Sequence, residues 1–152
     1  MTSAISRKNV SVGYIDIKSL IIFNYKSTRS VVSDLVKGIE LDVWKSAKVL
    51  AVEVYRSLKH CRDFSFRDQI HRAAVSIPCN IAEGVERNSQ AEFKNFLGVA
   101  KGSAGELRTQ IIMAKDLDYL EKEAFEKLME TSIRVSQMLG GLIRSIETGS
   151  LS

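Results

Sequence analysis

From Leu41 to Ile146 the apolar residues of this chain recur at intervals of three and four, and the chain's single proline, Pro78, falls inside that run. Such spacing draws one apolar stripe along a helix of 3.6 residues per turn, and it does not fit a strand, whose side chains alternate with period two. Four segments carry the pattern. The first spans about 41–60, with Val43, Ala47, Leu50, Ala51, Val54 and Leu58 on the stripe and Trp44 and Tyr55 on its flank. The second runs from about Phe66 through Ile70, Ala73, Ile77 and Ile81 to Gly84–Glu86. Ser89 followed three positions later by Glu92 reads as a capping box that opens the third, which continues through Phe93, Phe96, Leu97, Ala100, Ala104, Leu107, Ile111 and Ala114. A fourth begins near Glu121, where Glu123 and Glu126 suit a positive helix N-terminus, and carries Phe125, Leu128, Val135, Leu139, Leu142 and Ile146. The expected fold is all-α: an antiparallel up-and-down four-helix bundle over 40–148, with an N-terminal appendage at 1–39 and a short tail at 149–152. The appendage, with "SVGYIDIKSLIIFNYKS" at its centre, holds no sustained period and is compatible with a strand-like arm, a loose tail or a short helix.

Charge has to be located before it implies a partner. Residues 1–40 carry six Lys or Arg and three acids, net +3, and residues 41–152 carry sixteen and fifteen, net +1. Bulk charge therefore says little, and a polyanion site must come from local clustering. On the first helix Lys45, Lys48, Val52, Arg56 and Lys59 fall within about 80° on the side opposite the core stripe, with four cations over roughly 21 Å and no acid among them. Such a face can follow a phosphate backbone without reading sequence. Arg62 and Arg67, near the junction with the second helix, are further candidates for nucleic-acid binding. Trp44 and Tyr55 border the core stripe and read as packing residues, so recognition of unpaired bases by stacking is not indicated.

The second helix is the least ordinary. Ile70, Ala73, Ile77, Ile81 and Gly84 share its core face, while Gln69, Ser76, Asn80, Glu83 and Arg87 form a polar seam beside it. Val75 and Ala82 lie on the far side, with Ala74 at the border, so this helix is apolar on two sides and is expected to be covered on both, the outer cover being another subunit. Pro78 removes a backbone donor opposite the Ala74 carbonyl, at about 3 kcal/mol if the helix continues through it. The helix is expected to restart or bend there, with Ser76 and Asn80 satisfying the freed carbonyl and Glu83 pairing with an arginine. Ser76, Pro78, Asn80, Glu83, Arg87, Val75 and Ala82 are thus expected to form an oligomer interface or a kink. Gly98, Gly102 and Gly105 in the third helix each cost about 1 kcal/mol against alanine, which close packing of another backbone is expected to offset.

No catalytic constellation emerges. His71 and Cys79, eight residues apart on one helix, are separated by about 12 Å, too far to share an ion, and His71 and Glu83 by about 18 Å. Neither a nucleophile motif nor a phosphate loop is present, so no enzymatic activity, metal or cofactor is expected. Cys61 and Cys79 form no disulfide framework and read as small buried side chains in a reducing compartment. No apolar run approaches the roughly 20 residues that cross a bilayer, and "SLIIF" at 19–23 is too short and too far from the start for a signal peptide. A cytoplasmic location is expected by elimination.

The stretches "DVWKSAKVLAVEVYRSLK" and "DQIHRAAVSIPCNIAEGVERNSQAEFKNFLGVAKGSAGELRTQIIMAKDLDYL", and above all "AAVSIPCNIAEG", resemble the four-helix-bundle proteins encoded within intervening sequences of bacterial 23S ribosomal RNA genes. More distantly, the chain is similar to the accessory variability proteins of diversity-generating retroelements. The likeness covers about residues 41–145, with the 40-residue leader outside it. It implies a homo-oligomeric ring, a pentamer by preference, without catalytic activity and with a nucleic-acid connection: RNA, and in the retroelement relatives a reverse transcriptase. Two functions follow as expectations: a ring that binds RNA or an RNA/DNA intermediate through basic helix faces, or a protein-interaction scaffold such as a reverse transcriptase's accessory partner.

Overall fold

A computed structural model describes residues 41–149 of the chain. Residues 1–40, which take in the expected appendage at 1–39, and the last three residues lie outside the described residues. Four helices fill the span: α1 (Asp42–Ser57), α2 (Phe64–Val85), α3 (Gln90–Asp116) and α4 (Lys122–Glu147). Each packs on two neighbours, α1 on α2 and α4, α3 on α2 and α4, while the diagonal pairs make no close backbone contact. Short connections at 58–63, 86–89 and 117–121 then require an up-and-down order, because so few residues can only return the chain beside the helix it has left. None of these helices is long and apolar enough to cross a membrane.

Local chemistry sets the helix ends. Ser89 accepts from the Glu92 amide at 3.2 Å while its own hydroxyl donates to the Glu92 carboxylate at 2.9 Å. The start of α2 lies earlier than the periodicity indicates, at Phe64, because Asp63 caps it by accepting from the Phe66 amide at 3.0 Å. The other carboxylate oxygen of Asp63 accepts from the Tyr119 hydroxyl at 3.1 Å, and Tyr119 meets Phe66 edge-on, 5.5 Å between ring centres. One aspartate thus caps a helix and ties two loops at the same end of the bundle. Accepting that bond favours the protonated phenol and raises the Tyr119 pKa.

Leu50, Val54 and Leu58 from α1, Ile70, Ile77 and Ile81 from α2, Leu97, Leu107 and Ile111 from α3, and Leu128, Val135 and Leu139 from α4 are fully buried. They coincide with the stripes read from the sequence. Helix α2 departs from that reading in two respects. Of the two outcomes expected at Pro78, a restart does not occur, because the helix runs without interruption through it. Ala74 is fully buried, so the outward stripe reduces to Asp68, Arg72, Val75, Cys79, Ala82 and Glu86, of which Val75 is exposed and Ala82 half-buried. The second apolar side is therefore narrow and flanked by charges. Cys79, expected inside, is exposed on it.

The polar seam of α2 faces α3 rather than a gap in its own backbone. Ser76 Oγ lies 2.9 Å from Ser103 Oγ, and the Asn80 amide donates to the Ser76 carbonyl at 2.8 Å and to its hydroxyl at 3.0 Å. Asn80 therefore does not repair the Ala74 carbonyl, as expected of it; it orients Ser76 toward the next helix. Glu83 pairs with Arg87, whose guanidinium lies 4.8 Å from the centre of the Phe96 ring. Together these contacts fix the lateral register of α2 on α3.

Close approach of helices occurs at Gly84, not at the glycines of α3. A Cβ on Gly84 would stand 2.8 Å from Phe96 Cβ, whereas one on Gly98 or Gly102 would meet nothing within 4 Å. The expected packing against those two glycines is absent among the described residues because they lie on the outer side of α3. Gly98→Ala and Gly102→Ala are accordingly expected to raise stability by about 1 kcal/mol each in urea denaturation. A loss instead would mean that something outside the described residues packs on them.

Candidate nucleic-acid interface

The basic side chains of α1, Lys45, Lys48 and Arg56, occupy its outer surface because the opposite stripe, Val43 to Val54, is consumed by the core, whereas Lys59, expected on the same helix, lies two residues beyond its end in the connection to α2. Lys45, Lys48, Arg56 and Lys59 are all exposed. The face is not free of acids, as the sequence suggested: Asp42 lies 3.8 Å from Lys45, and Glu53 lies 3.1 Å from Arg56. The wheel separated Glu53 from the stripe, but a flexible Arg56 one turn on reaches it. Glu53 also accepts from Lys127 of α4 at 2.9 Å. That bond, with the guanidinium of Arg56, holds its carboxyl below the usual range against the opposing effect of burial. Lys48 and Lys59 have no carboxylate within 4 Å among the described residues, and Lys48 reaches over Trp44, 5.3 Å from the ring centre.

Tyr55 is not a packing residue of the core. It is 47% exposed and stacks on His71 of α2, with ring centres 3.7 Å apart and planes within 11°. An aromatic surface thus borders the basic face where α1 meets α2. His71 Nε2 is buried without a hydrogen-bond partner among the described residues, and burial, with Arg67 nearby, lowers the pKa of the ring.

The two junction arginines separate. Arg67 is half-buried, donates to the Cys61 carbonyl at 3.4 Å and lies 4.7 Å from the centre of the Phe64 ring, so it serves the loop. Arg62 is exposed. Of the residues grouped as interface or kink, Ser76, Asn80, Glu83 and Arg87 serve the contact with α3, Val75 and Ala82 lie on the narrow outer stripe, and Pro78 sits half-buried within continuous α2. Between α2 and α3, a groove of about 520 Å³ is lined by Asp63, Gln69 and Glu106 with no cation, a polarity that disfavours phosphate.

A second set of cations went unread. Lys94, Lys101, Arg108 and Lys115 recur every seven residues along α3, a spacing that holds them to one side of the helix. The signal was present, but that side is not opposite the core stripe, so only the packing of α4 could place it. Lys101 and Arg108 meet Arg144 of α4 in a groove of about 390 Å³. Among the described residues, no cluster of three or more His, Cys, Asp or Glu could hold a metal ion.

Comparison with known proteins agrees with this fold. No curated protein matches the chain. A crystal structure from Bacteroides thetaiotaomicron, described as a protein of unknown function from the S23 ribosomal protein family, superposes with a TM-score of 0.64 at 25% identity, over 67% of this chain and 95% of that one. The family model for the 23S rRNA-intervening sequence protein matches residues 39–141, which takes in α1, α2, α3 and most of α4. With a bundle of matching topology and a family match across most of its length, this chain belongs to the 23S rRNA-intervening sequence protein family.

Proposed function

We propose that this protein is a non-catalytic, ring-forming helical module that holds RNA by its phosphate backbone against basic helix faces. The observation that carries the reading is the outer face of α1. Lys48, and Lys59 in the turn that follows the helix, lack a carboxylate neighbour among the described residues, and Lys45 and Arg56 keep exposed side chains in their pairs with acids. Exposed pairs of that kind are worth at most about 1 kcal/mol and exchange readily for a phosphate. The family's name, which ties it to 23S rRNA, favours RNA as the polyanion. In a ring of several copies, five by the family likeness, each face recurs and weak contacts combine through high effective concentration.

Reversing Lys45, Lys48, Arg56 and Lys59 to glutamate is expected to abolish retention of RNA on immobilised protein, with helicity and assembled mass unchanged. Four phosphate contacts imply that wild-type affinity falls roughly 50- to 150-fold between 50 and 200 mM salt. Undiminished retention by the reversed protein would remove α1 as the interface. Light scattering is expected to give a mass several times the 17.0 kDa of one chain.

A second reading, a scaffold for a protein such as a reverse transcriptase, is favoured by the exposed Val99, Ile112 and Met113 of α3 and by Leu117 just beyond it. Capture of the same partner from nuclease-treated lysate would support it over direct RNA binding.

A further inference from the structure

We propose that the groove between α3 and α4 is a phosphate-binding site, distinct from the α1 face. Lys101 and Arg108 enter it from α3 and Arg144 from α4, beside Ser136, Gln137 and Gly140, and no acidic side chain lines it. None of the three cations has a carboxylate within 4 Å among the described residues. The same pair of helices can supply one: Lys94 meets Glu147 at 3.4 Å. Three cations around one concavity, with no carboxylate beside them among the described residues, repel one another, and an anion removes that repulsion. The last turn of α4 favours Arg144 through the helix dipole, but that accounts for one cation of the three.

Gly140 gives the groove a defined centre. The point where its Cβ would stand lies 3.7 Å from an Arg144 guanidinium nitrogen and 3.8 Å from the Lys101 ammonium. Two cationic donors therefore converge on a position left open by the absence of a side chain. An oxyanion beside that position can accept from both, with Arg108 flanking and the largely buried Ser136 hydroxyl adding a neutral donor. A carboxylate presents its two oxygens in one plane, whereas the tetrahedral oxygens of a phosphate, two non-bridging ones in a backbone diester and three in a terminal group, diverge toward donors supplied by two helices, which favours the phosphate. The phosphate is that of an RNA backbone or of a small free oligophosphate. The RNA source rests on the function proposed above, and the site itself does not.

The test is calorimetric titration of the full chain with inorganic pyrophosphate, alongside competition of pyrophosphate against a short single-stranded RNA. Wild type is expected to bind pyrophosphate. Gly140→Ala is expected to weaken that binding at least tenfold, because the methyl occupies the open position at ordinary contact distance from both cations. Folding is not the confounder, since alanine favours a helix interior over glycine. Gly141→Ala, whose Cβ would meet nothing within 4 Å, is expected to leave binding unchanged. Loss of binding in the combined Lys101→Gln, Arg108→Gln, Arg144→Gln protein would agree. Competition with RNA identifies a backbone phosphate and its absence a free oligophosphate, either of which upholds the site. No pyrophosphate binding by wild type, or binding indifferent to Gly140→Ala and the glutamine variant, overturns it. Loss of RNA retention on reversal of the α1 face, with pyrophosphate binding intact, separates this site from that one.

Discussion

Alanine at Gly84 is expected to destabilise the bundle by about 2 kcal/mol, although alanine is the better helix former by about 1 kcal/mol. The added methyl would stand 2.8 Å from Phe96 Cβ and 2.9 Å from a Phe93 ring carbon, with the Phe93 carbonyl at 3.4 Å. A ring can turn aside, but Phe96 Cβ is fixed to the backbone of α3, so relief requires the two helices to separate. Overpacking of that kind costs about 1–3 kcal/mol, and separation would also loosen the Ser76 and Ser103 contact. Urea denaturation measures the change, and for a domain of this size the melting temperature should fall by roughly 10 °C. An unchanged midpoint would mean that α2 and α3 do not approach this closely.

Pro78→Ala is expected to move stability the other way, by about 2 kcal/mol. The helix is continuous from Phe64 to Val85, so Pro78 sits in an interior where proline costs about 3 kcal/mol relative to alanine. Alanine restores a donor toward the Ala74 carbonyl and removes the ring's clash with it. Against this, the unfolded chain gains conformational freedom worth about 0.4–1 kcal/mol. The midpoint of urea denaturation decides the sign. A less stable variant would show that the half-buried proline ring is held by packing outweighing the strained backbone. Should the variant be more stable yet lose assembled mass in light scattering, the proline is kept for the ring and not for the chain.

These two positions mark how far the sequence could be read. The stripes on α1 and α4 were legible because burial of one face of a helix follows from spacing alone, and Leu50, Val54, Leu128 and Leu139 lie where the period puts them. Ser89 and Glu92 were legible for the same reason, a contact of fixed local geometry. Asp63 was not, since the apolar period of α2 counts from Phe66 and not from Phe64, and its second partner, Tyr119, lies fifty-six positions away. The glycines show the difference most clearly. The period puts Gly84 on the core face of its helix and leaves Gly102 off the stripe of the third, but only the packed helices show that Gly84 meets Phe96 while Gly102 meets nothing among the described residues.

The candidate site divides along the same line. The cations of α1 were readable because they lie opposite a core stripe on their own helix. Tyr55 was misplaced because a residue at the edge of a stripe can turn inward or outward, and His71 on the neighbouring helix drew it out. The cluster of Lys101, Arg108 and Arg144 needs two helices in register before it exists at all.

By itself, then, the sequence determined four amphipathic helices, their order and their buried faces, because each follows from a repeat within about two turns of chain. Only the tertiary structure decided how closely a second helix approaches Gly84, which cations keep a counter-charge and that the helix continues through its proline. Those depend on the sideways register of one helix against the next, set by contacts such as Ser76 with Ser103 that lie twenty-seven residues apart.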